Sequence, residues 1–263
     1  MTSREDAAAA RFARACREDP VLRGWLRPEY LDPRPLREVA LARPYVRWAV
    51  ADHFFREGPL QHLMRRHARL KFTDDDVGLN YHSNAVRVDG KPGEVGLDLL
   101  AHPLWHRYAA FVLGAELRMP GTTVVKYRRH PARSRGFWLH TDRDRERPKA
   151  LAVLAYYNKG WRASDGGLLQ LWDVRPLRSA ARHQVYRWKA YRGRSLSFLE
   201  RQTVLRIEAA DVEGLVLVEA RLVDQIVPAY NRVVFLDFQH TPSFHTVTPS
   251  HGRVREGFLQ WLY

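Results

Sequence analysis

His140-Thr141-Asp142 places an imidazole and a carboxylate two residues apart. On an extended chain, residues i and i+2 project to the same side. Both groups can therefore turn toward one cation from a strand and its end, and this pair of ligand types suits iron, manganese or zinc. A second histidine, distant in sequence, would complete a facial triad that leaves three adjacent coordination positions open. The segment "NRVVFLDFQHTPSFHTVTPSHGRVREGFLQWLY" offers His240, His245 and His251. His245 follows the apolar run "RVVFLDF" and opens the short strand-like "HTVTP", where a barrel would present a ligand inward. His240 and His251 stand in turn-like surroundings. Beyond them, Arg253 and Arg255 are expected on one face of the last strand. A guanidinium is a planar, permanently charged fork that fits a carboxylate bidentately, so either arginine suits an anionic cosubstrate held by its far end.

Strands are needed to bring such residues together, and the second half of the chain supplies them. From Thr122 onward, "TTVVKYRR", "KALAVLAYYN", "GGLLQLWDV", "TVLRIEA", "GLVLVEARLVDQIV", "NRVVFLDF" and "RVREGFLQWLY" are β-rich runs separated by turn residues. Before them the chain reads as helical. "REDAAAARFARACRE" opens it, with Ser3 as candidate N-cap and Pro20 beyond its end. "PLREVALARPYVRWAVADHFFREGPLQHLMRRHARL" continues as amphipathic helix punctuated by Pro44 and Pro59. Asp89-Gly90 and Pro92-Gly93 are turn candidates among short strand-like pieces. "HPLWHRYAAFVLGAEL" predicts one more helix, ending at Pro120-Gly121. The expected architecture is α+β with a mainly β core, a barrel or sandwich with N-terminal helices packed outside it.

The 263 residues are 45% hydrophobic and 27% charged, enough to bury a sizeable core in one domain. No apolar run approaches the ~18 residues that span a bilayer, and the start lacks the apolar stretch of a signal peptide. Cys16 is the single cysteine, which excludes a disulfide framework or a thiolate metal site. A soluble, cytoplasmic location without membrane association is expected. Net charge is +14, yet just six of the 43 basic residues are lysines. Such arginine skew belongs mostly to solvated surface, although the summed field still favours anionic partners.

Six motifs in order give a more specific reading: "HTD", "YYNKGW", "DGGLLQLW", "NRVVFLDF", "HTVTP" and "RVREGFLQW". In this order the chain from about 122 to 263 resembles the double-stranded β-helix (jelly-roll, cupin-like) core of Fe(II)/2-oxoglutarate-dependent oxygenases, most of all their prolyl 4-hydroxylase-like branch. The resemblance implies that His140, Asp142 and His245 bind Fe(II). It implies Arg255, ten residues after His245 and six before Trp261, rather than Arg253, as the anchor of the 2-oxoglutarate carboxylate. Tyr156, two before Asn158, matches a position that hydrogen-bonds the same carboxylate, and Tyr127 is a further candidate for that pocket. Thr248 and Trp261 are expected in its lining. Halogenating relatives carry a small residue in place of the carboxylate, so Asp142 implies hydroxylation or another oxidative outcome, such as desaturation or cyclisation, instead of halogenation. The implied activity hydroxylates a C–H bond and releases succinate and CO2, with ascorbate as a supporting reductant.

One departure from the family pattern stands out. About residues 175–228 form an insert that begins "RPLRSAARHQVYRWKAYRGRSLSFLERQ", rich in arginine and interleaved with Tyr186, Trp188 and Tyr191. It suits a lid or substrate wall, padding or a dimer contact, or a single-stranded nucleic-acid surface. The whole chain, 1–263, is expected to be a single oxygenase domain: residues 1–121 mainly helical, 122–263 the core. Three functions follow from the residues: a hydroxylase of an amino acid, peptide or small natural-product intermediate; the same chemistry on a protein or nucleic-acid-associated substrate; or a non-catalytic metal-binding barrel.

Overall fold

The computed structural model describes residues 3–75, 81–87, 97–143, 148–176, 201–211 and 214–263. Helices α1 (Ser3–Glu18), α2 (Pro20–Trp25) and α3 (Arg34–Leu41) come first, then strand β1 (Trp48–Ala51) and helix α4 (Glu57–Ala68). Strands β2 (Thr73–Asp75) and β3 (Tyr81–Arg87) precede α5 (Leu97–Leu100) and α6 (Pro103–Leu113). The rest is β: β4 (Thr123–His130), β5 (Phe137–His140), β6 (Leu151–Tyr156), β7 (Leu169–Pro176), β8 (Val204–Asp211), β9 (Gly214–Ile226), β10 (Arg232–Asp237), β11 (His245–Val247) and β12 (Arg255–Leu262).

These strands form two antiparallel sheets, one in the order β1-β10-β6-β12-β4-β3-β2 and the other β5-β11-β7-β9-β8. From β4 the chain passes back and forth between them, the winding of a double-stranded β-helix. Strands β6 and β10 of the large sheet are buried on both faces, which explains why they read as nearly unbroken apolar runs. Leu151, Val153 and Ala155 of β6, with Val233 and Phe235 of β10, pack toward Leu60, Leu63, Trp105 and Tyr108 of the helices. Their alternates Ala152, Tyr156, Val234 and Leu236 turn inward to meet Phe137, Leu169, Leu171 and Val247 of the small sheet. Successive residues on a strand face opposite ways, so each central strand serves both cores.

Two sequence expectations need correction. Residues 48–51, expected inside an amphipathic helix, are a strand that pairs with β10, Trp48 opposite Leu236 and Ala51 opposite Val233. Pro44 ends the preceding helix, and the alternation of Val46, Trp48 and Val50 inward with Ala49 and Ala51 outward is a period of two. Helix α6 stops at Gly114, well short of Pro120-Gly121, because Gly114 takes the left-handed cap conformation at φ 65°. The strand pair expected within the insert forms as β8 and β9: β9 pairs with β7 from Leu169↔Ile226 onward, and β8 pairs along its other side. That part of the insert widens the small sheet. Tyr186, Trp188, Tyr191 and the two turn candidates at 89–90 and 92–93 lie outside the described residues.

Candidate metal centre

Strands β5 and β11 run antiparallel with His245 directly opposite His140. That register brings the two imidazoles together, ring centroids 4.2 Å apart. Asp142, two residues past His140, returns its carboxylate to the same place, with Oδ1 3.6 Å from His140 Nε2. One ligand atom from each of the three residues lies within 4.8 Å of the others. Ligands about 2.1 Å from a common ion at right angles are about 3 Å apart, so a small contraction closes this set around a cation.

The backbone fixes which nitrogen each histidine presents. His140 Nδ1 is 2.8 Å from the Trp138 carbonyl and His245 Nδ1 is 2.9 Å from the Ser243 carbonyl. A carbonyl oxygen accepts, so each Nδ1 carries the proton and each Nε2 keeps its lone pair for a ligand role. Ser243 is itself held by the turn after β10. The fully buried Asp237 carboxylate accepts from the backbone N–H groups of Gln239, His240 and Thr241, and the Ser243 hydroxyl donates to the Asp237 carbonyl. Asp142 is oriented by Trp261, whose indole N–H donates to Oδ2 at 2.9 Å. Burial pushes the Asp142 carboxyl up, but His245, His140, Arg128 and the Trp261 N–H outweigh it and hold the group at about 2. Burial, reinforced by His140, lowers His245 to about 4. At neutral pH these two are therefore a carboxylate and a free imidazole, the forms that bind a metal.

The triad opens into a cavity of about 260 Å³ lined on its apolar side by Phe137, Leu169, Leu236 and Val247. Arg255 stands in its wall, 5% exposed. Its Nη2 donates to the Tyr156 hydroxyl at 3.3 Å and its guanidinium lies 4.9 Å from the Tyr156 ring centroid. Its Nε has no hydrogen-bond partner among the described residues. Burial depresses the Arg255 pKa, but a guanidinium stays charged in proteins. A buried cation with an unspent donor at the edge of a cavity fits a carboxylate ligand. Gly167 makes room for it: a Cβ there would sit 2.9 Å from Arg255 Cδ, and its φ of +64° disfavours a side chain as well.

His140, Asp142, His245, Arg255, Tyr156 and Trp261 thus meet in one cavity. Other sequence candidates do not. Tyr127 is a correction: it turns to the opposite face of β4 and packs against the ring of His67 under the helices. Arg253, expected beside Arg255, points outward, donating to the carbonyls of Gly160 and Lys159 and to Asp165. His240 pairs with Asp237, and His251 is exposed. The Thr248 hydroxyl accepts from the Leu168 N–H, outside the lining. The residues that sequence reasoning missed are Lys126, Arg128 and His130 on the inner face of β4, and Lys149 before β6. The signal was present: Lys126, Arg128 and His130 share the period of two, and His130 pairs with Arg255 across the sheet.

No family model matches the chain, and no curated protein is significantly similar in sequence. Solved structures are. A prolyl-4-hydroxylase from Pseudomonas putida is 18% identical and covers 86% of this chain and 97% of its own, with a TM-score of 0.50. A prolyl hydroxylase from Trichoplax adhaerens, solved with a peptide fragment of the hypoxia inducible factor oxygen degradation domain, is 13% identical over 100% of this chain and 94% of its own, TM-score 0.54. The non-heme α-ketoglutarate-dependent epimerase SnoN of nogalamycin biosynthesis is 10% identical over 88% and 84%, TM-score 0.52. At such identities the likeness shows the fold, the double-stranded β-helix expected from the motifs.

Proposed function

We propose that this chain is an Fe(II)- and 2-oxoglutarate-dependent dioxygenase that hydroxylates a C–H bond of an amino acid, peptide or small natural-product intermediate. The observation that carries the reading is the presence, in one cavity, of a His-Asp-His set and a buried arginine with an unspent donor. His140, Asp142 and His245 would hold the metal, and their two nitrogens and one oxygen suit Fe(II). Iron and 2-oxoglutarate, when bound, supply the oxygen-dependent chemistry that couples release of succinate and CO2 to oxidation of the substrate.

The chain's own residues bind, orient and exclude water. Arg255 and the Tyr156 hydroxyl receive the distal carboxylate of 2-oxoglutarate, with Gly167 leaving space for the arginine stem. The carbonyls of Trp138 and Ser243 keep the histidines in the ligating tautomer, and Trp261 keeps one carboxylate oxygen of Asp142 turned to the centre. Phe137, Leu169, Leu236 and Val247 dry the cavity, which strengthens each polar contact inside it. A peptidyl substrate falls within this proposal, and the Trichoplax enzyme was solved with a peptide. Among the described residues no helix is long and apolar enough to cross a membrane.

Purified protein given Fe(II) and 2-oxoglutarate, with ascorbate as reductant, is expected to form succinate, and candidate substrates to accelerate it. His140→Ala and Asp142→Ala should reduce the rate at least a hundredfold. Iron-loaded protein that binds no 2-oxoglutarate, with both variants behaving like wild type, would return the site to a non-catalytic metal-binding barrel.

A further inference from the structure

Arg255 is held weakly by its own hydrogen bonds. Among the described residues its Nη2 meets the Tyr156 hydroxyl at a long 3.3 Å, and its Nε meets no acceptor. A long side chain with so few bonds keeps much rotamer freedom unless packing removes it. The packing comes from the turn 159–167. A Cβ on Gly167 would stand 2.9 Å from Arg255 Cδ and 3.3 Å from the Trp161 ring, so backbone, indole and arginine stem converge at this point. The placing of the turn therefore decides where the guanidinium can lie.

Arg253 fastens that turn. Its Nη1 donates to the Gly160 carbonyl at 2.7 Å and to Asp165 at 3.1 Å, and its Nη2 donates to the Lys159 carbonyl at 2.7 Å. The same guanidinium lies 5.3 Å from the ring centroid of Trp161, whose indole N–H donates to the Gly166 carbonyl at 2.9 Å. One side chain thus ties the start of the turn, residues 159 and 160, to residue 165 near its end. Backbone bonds secure that end independently, from the Gly167 N–H to the Pro249 carbonyl and from the His251 N–H to the Asp165 carbonyl, each at 2.8 Å. Among the described residues, Arg253 makes the bonds that join 159 and 160 to the segment leading into β12. A lone exposed ion pair would fix little. Here a planar fork spans two successive carbonyls and a carboxylate, a geometry that suits a guanidinium and not an ammonium.

We propose that Arg253 is the positioning residue of the cosubstrate anchor: it sets the turn 159–167 against the stem of Arg255 and so aims the Arg255 guanidinium at the distal carboxylate of 2-oxoglutarate. This deepens the reading of Arg255 as that anchor and rests on it. Arg253 is outside the lining of the cavity, so it touches neither metal nor cosubstrate. Its loss acts on one end of the ligand alone. A 2-oxo acid without the distal carboxylate, such as 2-oxopentanoate, chelates a metal through the same groups and gives Arg255 nothing to hold.

Calorimetry on the zinc-loaded full chain, comparing 2-oxoglutarate with 2-oxopentanoate, tests the proposal without turnover. Wild type should prefer 2-oxoglutarate at least tenfold. Arg253→Met should cut that preference at least fivefold by weakening 2-oxoglutarate, while zinc and 2-oxopentanoate affinities stay within twofold. The unfolding temperature should move by no more than about 3 °C, as for a partly exposed ion pair. Arg253 acts through Arg255, so R255M should erase the preference and R253M/R255M should match R255M. An unchanged preference in R253M, a parallel loss for both acids, or a further loss when R253M is added to R255M would overturn the proposal. Should wild type take up no 2-oxoglutarate, or show no preference for it, the anchor reading fails separately. Crystal structures of wild type and R253M then decide the positioning role. The Arg255 guanidinium should be displaced in R253M, and its return to within about 1 Å of the wild-type place would overturn the proposal.

Discussion

The Trp261 indole N–H illustrates how a residue outside the ligand set acts on the site. It donates to Asp142 Oδ2 at 2.9 Å, a hydrogen bond to an ionised acceptor, and such bonds contribute on the order of 1.5–3 kcal/mol. Trp261→Phe keeps an aromatic ring and removes the donor. Metal affinity, measured by competition with a chelating dye, should fall about tenfold, the scale seen when partners of metal ligands are lost, beside a loss of stability of about 2 kcal/mol. Acidity gives a second prediction at this scale. Burial lowers both His245 and His67 to about 4. Unfolded, each takes its proton near 6.5, so the unfolded chain binds more protons between pH 6.5 and 4, and stability must fall as pH falls through that window. The contribution is on the order of 2–3 kcal/mol per histidine. Thermal unfolding of metal-free protein at pH 7, 5.5 and 4 should show it. His67→Phe, remote from the triad, should remove about half of the dependence and leave metal affinity unchanged.

Single residues are placed by elements, and the clearest case is the turn before β7, which makes room for the Arg255 stem. Gly167→Ala would force a Cβ to 2.9 Å from the Arg255 stem at a φ of +64°, a strain on the order of 1–3 kcal/mol. The KM for 2-oxoglutarate should rise at least tenfold while the metal affinity of the triad holds; equal effects on both would place the defect elsewhere. Elements also decided what could be read from sequence. His140, Asp142, His245 and Arg255 were legible because their residue types are uncommon in a core and their order along the chain is distinctive. Tyr127 was misassigned by one residue of register, and a slip of one on a strand reverses every side chain. β4 gave little warning, because with helices on one side and a cavity on the other both its faces are enclosed, and polar and apolar residues do not simply alternate. The same slip concealed Lys126, Arg128 and His130. Strand β1 escaped because four residues between two helical stretches are too few to establish a period, and its partner β10 lies almost 200 residues further on.

At the scale of the molecule, the helical layer supports the barrel from behind while the site faces the other way. Trp105 of α6 is the centre of that support: wholly buried, packed on Phe54, Tyr108 and Phe235, with its indole N–H donating to Gln260 of β12 at 2.9 Å. Gln260 in turn donates to the Leu100 carbonyl and the Thr123 hydroxyl, so one side chain ties two helices and two strands. Its neighbour Trp261 points the opposite way, onto Asp142. Alternation along β12 thus assigns scaffold and site to adjacent residues, and their variants should separate. Trp105→Ala removes a large buried ring, at a cost of about 3–5 kcal/mol, and leaves the Gln260 carbonyl without its donor. The unfolding temperature should drop by roughly 10 °C, while metal affinity of the protein still folded at 15 °C stays within threefold of wild type. Trp261→Phe should weaken metal binding more and lower the unfolding temperature less than Trp105→Ala does. If Trp105→Ala weakened metal binding as much as Trp261→Phe does, the helical layer would be setting the geometry of the triad through the sheet as well as supporting it.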